Sequence, residues 1–186
     1  MIITPFFMSA AATVTVTTDT YTTPSSSGGG WTSYSVRQLV PNAELSATAT
    51  STSVKVTFRG PASEGLGIEQ AFIGQATSGG NAWDFDGNQV QLQVSSSNSF
   101  DLGVDSNVQT DACVIALNPG ADVIIAVDHT SDTSKDSIAQ IADTGWRYYY
   151  KEGNTDEADE TAPSSFVDGG FDGRIHVKAI EWTSES

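Results

Sequence analysis

Ser53-Val54-Lys55-Val56-Thr57-Phe58-Arg59 alternates apolar and polar side chains at almost every step, and Gly60-Pro61 ends the run. In an extended chain successive side chains point to opposite faces, so Val54, Val56 and Phe58 fall on one side and Lys55 and Thr57 on the other. A helix would scatter the same residues around its circumference. The stretch predicts a strand with one buried face and one wet face.

The same period recurs on both sides of it. Downstream, 66–76 carries Ile68, Ala71, Phe72 and Ile73, and the adjacent pair Phe72-Ile73 breaks the alternation, which predicts a bulge there. Asp84-Phe85-Asp86-Gly87-Asn88 is a turn, Val90-Gln91-Leu92-Gln93-Val94 a strand, and 100–104 a short one. Segments 112–117 and 121–127 are nearly continuous apolar runs separated by Asn118-Pro119-Gly120, as expected of strands covered on both faces. Aromatics cluster in 145–151, and a last strand over 174–182 again slips in its alternation. Upstream, Thr and Val alternate over 13–18, an edge-type strand, and 31–40 resumes strand character. Only 134–142 offers a turn or two of helix. About nine or ten strands at regular spacing predict an all-β, antiparallel two-sheet sandwich.

Composition agrees. Thr, Ser, Val and Gly are abundant, there are 17 Gly for turns, and the Leu, Lys, Arg and Glu that long helices use are sparse. At 186 residues the chain is long enough for one core without staples, and its single cysteine, Cys113, excludes an intrachain disulfide. Cys113 lies in an apolar run with no cationic neighbour, so it reads as a small buried hydrophobe. The net charge of −15 would repel a phosphate backbone and an anionic lipid surface alike, arguing against nucleic-acid binding and membrane association.

The first thirty residues form a separate zone. Met1-Ile2-Ile3-Thr4-Pro5-Phe6-Phe7-Met8 lacks the basic start of a signal peptide and is too short to insert across a bilayer, so it reads as mature protein. Pro24-Ser25-Ser26-Ser27-Gly28-Gly29-Gly30 is hinge-like in composition. The division expected is an arm and Ser/Gly hinge over 1–30 and a sandwich over 31–186. Ile2, Ile3, Phe6 and Phe7 would pack against this domain or a partner.

Over 53–128 the order of features resembles the β-jelly-roll accessory module found beside the catalytic domain of some SGNH/GDSL-type hydrolases and on bacteriophage particles. The residues that carry the resemblance are Val54-Lys55-Val56-Thr57-Phe58-Arg59-Gly60, Leu66-Gly67-Ile68-Glu69-Gln70-Ala71-Phe72-Ile73-Gly74, Trp83-Asp84-Phe85-Asp86-Gly87 and Ala121-Asp122-Val123-Ile124-Ile125-Ala126-Val127. The resemblance implies jelly-roll winding and a role in carbohydrate binding or structural attachment. It brings no catalytic residues.

Chemistry-bearing residues are few. Of the two histidines, His176 alternates with apolar neighbours and reads as solvent-facing, while His129 sits in Asp128-His129-Thr130-Ser131. Neighbours in sequence cannot easily meet as a triad, and no Gly-x-Ser-x-Gly elbow occurs. Asp84, Asp86 and Asn88 offer the hard oxygens that Ca²⁺ prefers, though no Glu closes the loop in register and a polar turn explains them without an ion. The acidic stretch 151–173 exceeds an ordinary hairpin and marks a candidate functional loop. Trp146, Tyr148 and Tyr150 share one strand face; exposed, they could stack on sugars or bind a protein, and otherwise they fill the core.

These readings point away from an enzyme. They point to a structural or attachment protein of a virus particle, a bacteriophage head decoration, fibre or spike component. Such a protein would assemble with other virion proteins and copies of itself, and could contact host glycans. The alternative is a stand-alone carbohydrate-binding module, secreted or displayed on a cell surface.

Overall fold

The computed structural model describes residues 12–17, 25–27, 30–134, 137–153 and 156–185. In chain order the strands are β1 (Ala12–Thr17), β2 (Ser25–Ser27), β3 (Tyr34–Val40), β4 (Ser51–Arg59), β5 (Leu66–Gln75), β6 (Val90–Leu92), β7 (Phe100–Leu102), β8 (Asn107–Gln109), β9 (Val123–His129), β10 (Ile138–Glu152), β11 (Val167–Ile175) and β12 (Val177–Ser184). A 3-10 turn at Asn42–Glu44 is the one helical element among the described residues. The chain is an all-β, antiparallel two-sheet sandwich. The small sheet runs β1-β12-β4-β8; the large one runs β11-β10-β3-β9-β5-β6, with β2 paired to β10 and β7 to β5.

Alternation builds the core as expected. Val54, Val56 and Phe58 of β4 and Val177, Ile180 and Trp182 of β12 face Val36 and Val40 of β3, Ile68 and Ile73 of β5, and Val123, Ile125 and Val127 of β9, all in one buried cluster. Trp182 is fully buried, yet its indole N–H still donates to the carbonyl of Ala49 at 3.0 Å. That bond spares the ring the cost of an unmade hydrogen bond. At Thr13–Thr17 the expected edge strand is β1, the outer strand of the small sheet among the described residues.

β9 differs from the others because all seven of its residues are buried. Val123, Ile125 and Val127 point into the sandwich, whereas Ile124 and Ala126 point to the other side and pack with Phe85 and Ala158. The large sheet is thus covered twice, by the small sheet and by the loops after β5 and β10.

Several expectations shift in detail. The break in β5 lies between Ile68 and Gln70, not at Phe72-Ile73; Phe72 is apolar because the covered outer face packs against it. Segment 112–117 is not a regular strand: Cys113 makes a single bridge to Val54, and Val114 is 83% exposed. The Ser51 hydroxyl ties this segment down instead, donating to the Ile115 carbonyl at 2.6 Å and accepting from the Leu117 N–H at 2.8 Å. Residues 138–142 belong to β10 rather than to a helix. The acidic stretch 151–173 is only partly loop, since β11 begins at Val167. The expected last strand is two strands in different sheets, divided at His176, whose φ is 60°.

Gln38 explains how the large sheet tolerates an irregular β10, whose register with β11 shifts between Ala142 and Arg147. Its buried amide donates to the carbonyls of Arg147 (2.8 Å) and Gly173 (3.3 Å) and accepts from the Ile175 N–H (2.6 Å). The side chain supplies bonds that the ladder loses at the slip.

Replacing Trp182 by Ala should cost about 3–5 kcal/mol, because it removes the largest fully buried side chain between the sheets. Val114→Ala, at an exposed position, should stay within about 0.5 kcal/mol. Urea unfolding followed by circular dichroism reads both.

Candidate functional site

One group of chemistry-bearing residues that the fold brings together lies on the outer face of the large sheet. Antiparallel register places Ser35 of β3 and Gln70 of β5 on either side of Asp128 of β9. One Asp128 oxygen accepts from the Ser35 hydroxyl. The other accepts from the Gln70 amide at 2.7 Å and from the backbone N–H groups of Glu157 and Ala158 at 3.1 and 3.0 Å. Asp128 is fully buried, so these bonds replace water around its charge. Burial raises its pKa, and the Ser35, Gln70 and Ala158 hydrogen bonds and the Arg37 charge oppose that rise.

Arg37, two residues along β3 from Ser35, is 1% exposed. Its guanidinium donates to the carbonyls of Glu157 (2.6 Å), Glu160 (2.7 Å) and Trp83 (3.2 Å). It also lies over the ring of Phe85, 4.4 Å from the centroid, with Phe166 at 5.7 Å. Burial lowers its pKa to about 10 against the pull of Asp128 and Asp84, so it keeps its charge at neutral pH. Arg37 therefore holds the covering loops by their carbonyls while Asp128 holds one of them by its N–H groups.

Above this clasp lies a cavity of about 430 Å³ lined by Asp156, Glu157, Glu160, Ala162, Pro163 and Ser164. Asp156, Glu160, Ala162 and Ser164 on its rim are exposed. Lys151 answers one of its carboxylates by pairing with Glu157. Such a surface can offer carboxylate and hydroxyl oxygens to hydroxyl-rich or cationic groups.

The residues singled out from sequence fall elsewhere. Trp146 and Tyr148 are 2% and 5% exposed inside the sandwich, and half-buried Tyr150 packs its ring against Trp31 and Tyr34. The exposed aromatic row is thus corrected: the face carrying these rings is the one the small sheet covers. Tyr149, on the other face, is buried beside Trp83, with ring centroids 5.1 Å apart, and Arg147 pairs with Asp168. Asp84, Asp86 and Asn88 diverge. Asp84 is buried and accepts from the Asn81 backbone N–H, exposed Asp86 accepts from the Asn88 N–H, and the Asn88 oxygen accepts from the Gln75 N–H. Among the described residues no group of three or more His, Cys, Asp or Glu side chains is placed to share a metal. Ile2, Ile3, Phe6 and Phe7 lie outside the described residues.

The histidines also move from their expected places. His129 points into the sandwich and Asp128 out of it, so neighbours in sequence sit on opposite sides of one sheet, and Ser131 is exposed beyond the strand. His176 is 1% exposed, because its left-handed backbone turns the ring inward at the crossing from β11 to β12. Arg37 and Asp128 had no motif to announce them. The available signal was a lone charge within or at the end of an apolar strand, since charges are seldom buried unless paired.

Arg37→Met should cost about 3–5 kcal/mol, because it strands three carbonyls and leaves Asp128 without its cation. It should also bring protease cleavage into 153–166 ahead of global unfolding. Excess Ca²⁺ should leave the melting temperature of the native chain unchanged; a rise of several degrees would show that Asp84, Asp86 and Asn88 regroup around an ion.

No protein-family model matches this chain, and no curated protein matches it in sequence.

Proposed function

We propose that this chain is a non-enzymatic structural or attachment protein of a virus particle, of the kind that decorates a bacteriophage head or builds a fibre or spike. The observation that carries the reading is the edge formed by β1. Residues 1–18 contain no charged side chain, within a chain of net charge −15, and among the described residues 12–17 form the outer strand of the small sheet. Soluble proteins usually blunt such an edge with charge, proline or a bulge, because its free backbone groups pair readily with another strand. Copies that repel one another elsewhere can meet along this neutral edge.

The winding supports the same reading. Setting aside β2, β7 and the β10–β11 excursion, β1-β12-β4-β8 and β3-β9-β5-β6 are the orders of two interlocked Greek keys, which we take as a jelly roll. That winding occurs in capsid and lectin domains. Arg37 and Asp128 are both tied to loop backbone, which suits a rigid building block. Because Trp146 and Tyr148 are buried, contact with a host glycan falls to the oxygen-rich rim at 156–164.

Size-exclusion chromatography with light scattering tests this. The full chain should run as an oligomer of its 19.6 kDa unit, while the variant Thr15→Lys should run as a monomer with unchanged circular dichroism. A full chain that is monomeric and retained by a glycan array would overturn the reading. It would favour the stand-alone carbohydrate-binding module, secreted or cell-surface.

A further inference from the structure

Inside the sandwich, where β11 leaves the large sheet and β12 enters the small one, two imidazoles meet. The rings of His129 and His176 lie 5.2 Å apart at 75°, and the residues are 0% and 1% exposed. His129 Nδ1 is 2.8 Å from the Trp31 carbonyl, whereas His129 Nε2 and both nitrogens of His176 have no hydrogen-bond partner among the described residues. His176 is stitched in place by its backbone alone. Its N–H donates to the Ala139 carbonyl of β10, and its carbonyl accepts from the Arg59 N–H of β4. One residue thus bridges both sheets, in a left-handed conformation that His tolerates better than most side chains do.

We propose that His129 and His176 form an acid-sensitive latch: protonation of the pair parts the two sheets at the β11–β12 crossing. A buried imidazolium needs an acceptor or a counter-charge, and two cations side by side need them more. The described residues of the surrounding elements supply none. Arg59 of β4 is cationic and turns to Asp105 and Asn107, and Glu64 of the β4–β5 loop accepts from Ser137. Arg174 of β11 lies over Trp146 and donates to the Lys178 carbonyl at the start of β12. Tyr34 of β3 and Tyr150 of β10 join the Trp31 ring cluster. Asp128 faces the opposite side of the sheet. Among the described residues neither imidazole makes an ion pair.

Burial lowers the His129 pKa to about 4, and burial together with the His129 ring puts His176 well below the usual histidine range. Both are depressed relative to the unfolded value. Each contribution to stability is therefore complete above about pH 6.5 and is lost as pH falls below it, for His129 down to about 4. These are the chain's only histidines, so few other side chains titrate between pH 7.0 and 5.5. This latch does not depend on the assembly role.

Hydrogen exchange of the full chain at pH 7.0 and 5.5, corrected for intrinsic rates, tests it. For two imidazoles freed on opening, the opening constant should rise about 70-fold, about 8-fold for each. The rise should appear in the amides of 138–140 and 175–182 and be absent at Ile73 and Ile125. His176→Asn, which keeps a residue tolerant of positive φ, should reduce it to about 8-fold. Equal loosening of both regions, or an undiminished response in His176→Asn, would overturn the latch. Should that variant not fold, the imidazole signals of the native chain decide by nuclear magnetic resonance. Neutral shifts held to pH 5.5 in the folded state support the latch, and folded-state titration near 6.5 refutes it.

Discussion

The complete burial of β9 governs this structure. A strand with all seven residues hidden cannot sit in a sheet with one wet face, so the large sheet must be covered on both sides. On the inner side the alternating residues of β4 and β12 meet that demand. On the outer side no second sheet is present among the described residues, and irregular loops provide the cover. Loops bring backbone polar groups into contact with an apolar surface, and those groups need partners there. Asp128 and Arg37 answer that need, the first accepting from backbone N–H groups and the second donating to backbone carbonyls. The polar clasp is thus a consequence of the apolar strand beside it.

The sequence made the sandwich legible because alternation reports directly which side chains are covered. Val54, Val56 and Phe58 share a face in the sequence and a core in the structure. Alternation does not report what the cover is. Phe72 looked like a bulge and is an apolar residue packed on the outer cluster, while the real irregularity sits at Ile68–Gln70 with no apolar pair to mark it. Trp146, Tyr148 and Tyr150 were correctly placed on one face, but which face met the small sheet depends on sheet order, a long-range property. His176 was misread for a local reason: a single left-handed residue reverses the side that period two assigns to it. The candidate site was the least legible part, since Arg37, Asp128, Gln70 and Glu157 are spread across 120 residues and meet only through strand register.

Charge is distributed to match this architecture. The carboxylates concentrate on loops and rims, such as Asp156 and Glu160 above the clasp, where water solvates them. Inside, ionic groups are few and each has a structural task. Buried charge is rarely the most stable choice, since well-packed apolar residues often do as well. What Arg37 and Asp128 add is selectivity: a slip of β3 against β9 by one residue would carry the guanidinium into the apolar core and strand it. The same argument applies to Gln38, whose amide fits only where β10 and β11 lose step.

Asp128 and His129 show how one strand couples the two layers. They are neighbours on β9, yet one belongs to the outer clasp and the other to the inner joint. Burial raises the Asp128 pKa and lowers that of His129, so their linkage to pH has opposite sign. Folded Asp128 takes up its proton at higher pH than the unfolded chain does, so acid favours the folded state there. Folded His129 takes up its proton at lower pH, so acid favours opening. Acid therefore acts on the inner joint without a matching electrostatic push on the outer clasp. With the latch as proposed, the crossing at His176, rather than the loop cover, is where acid acts on the molecule.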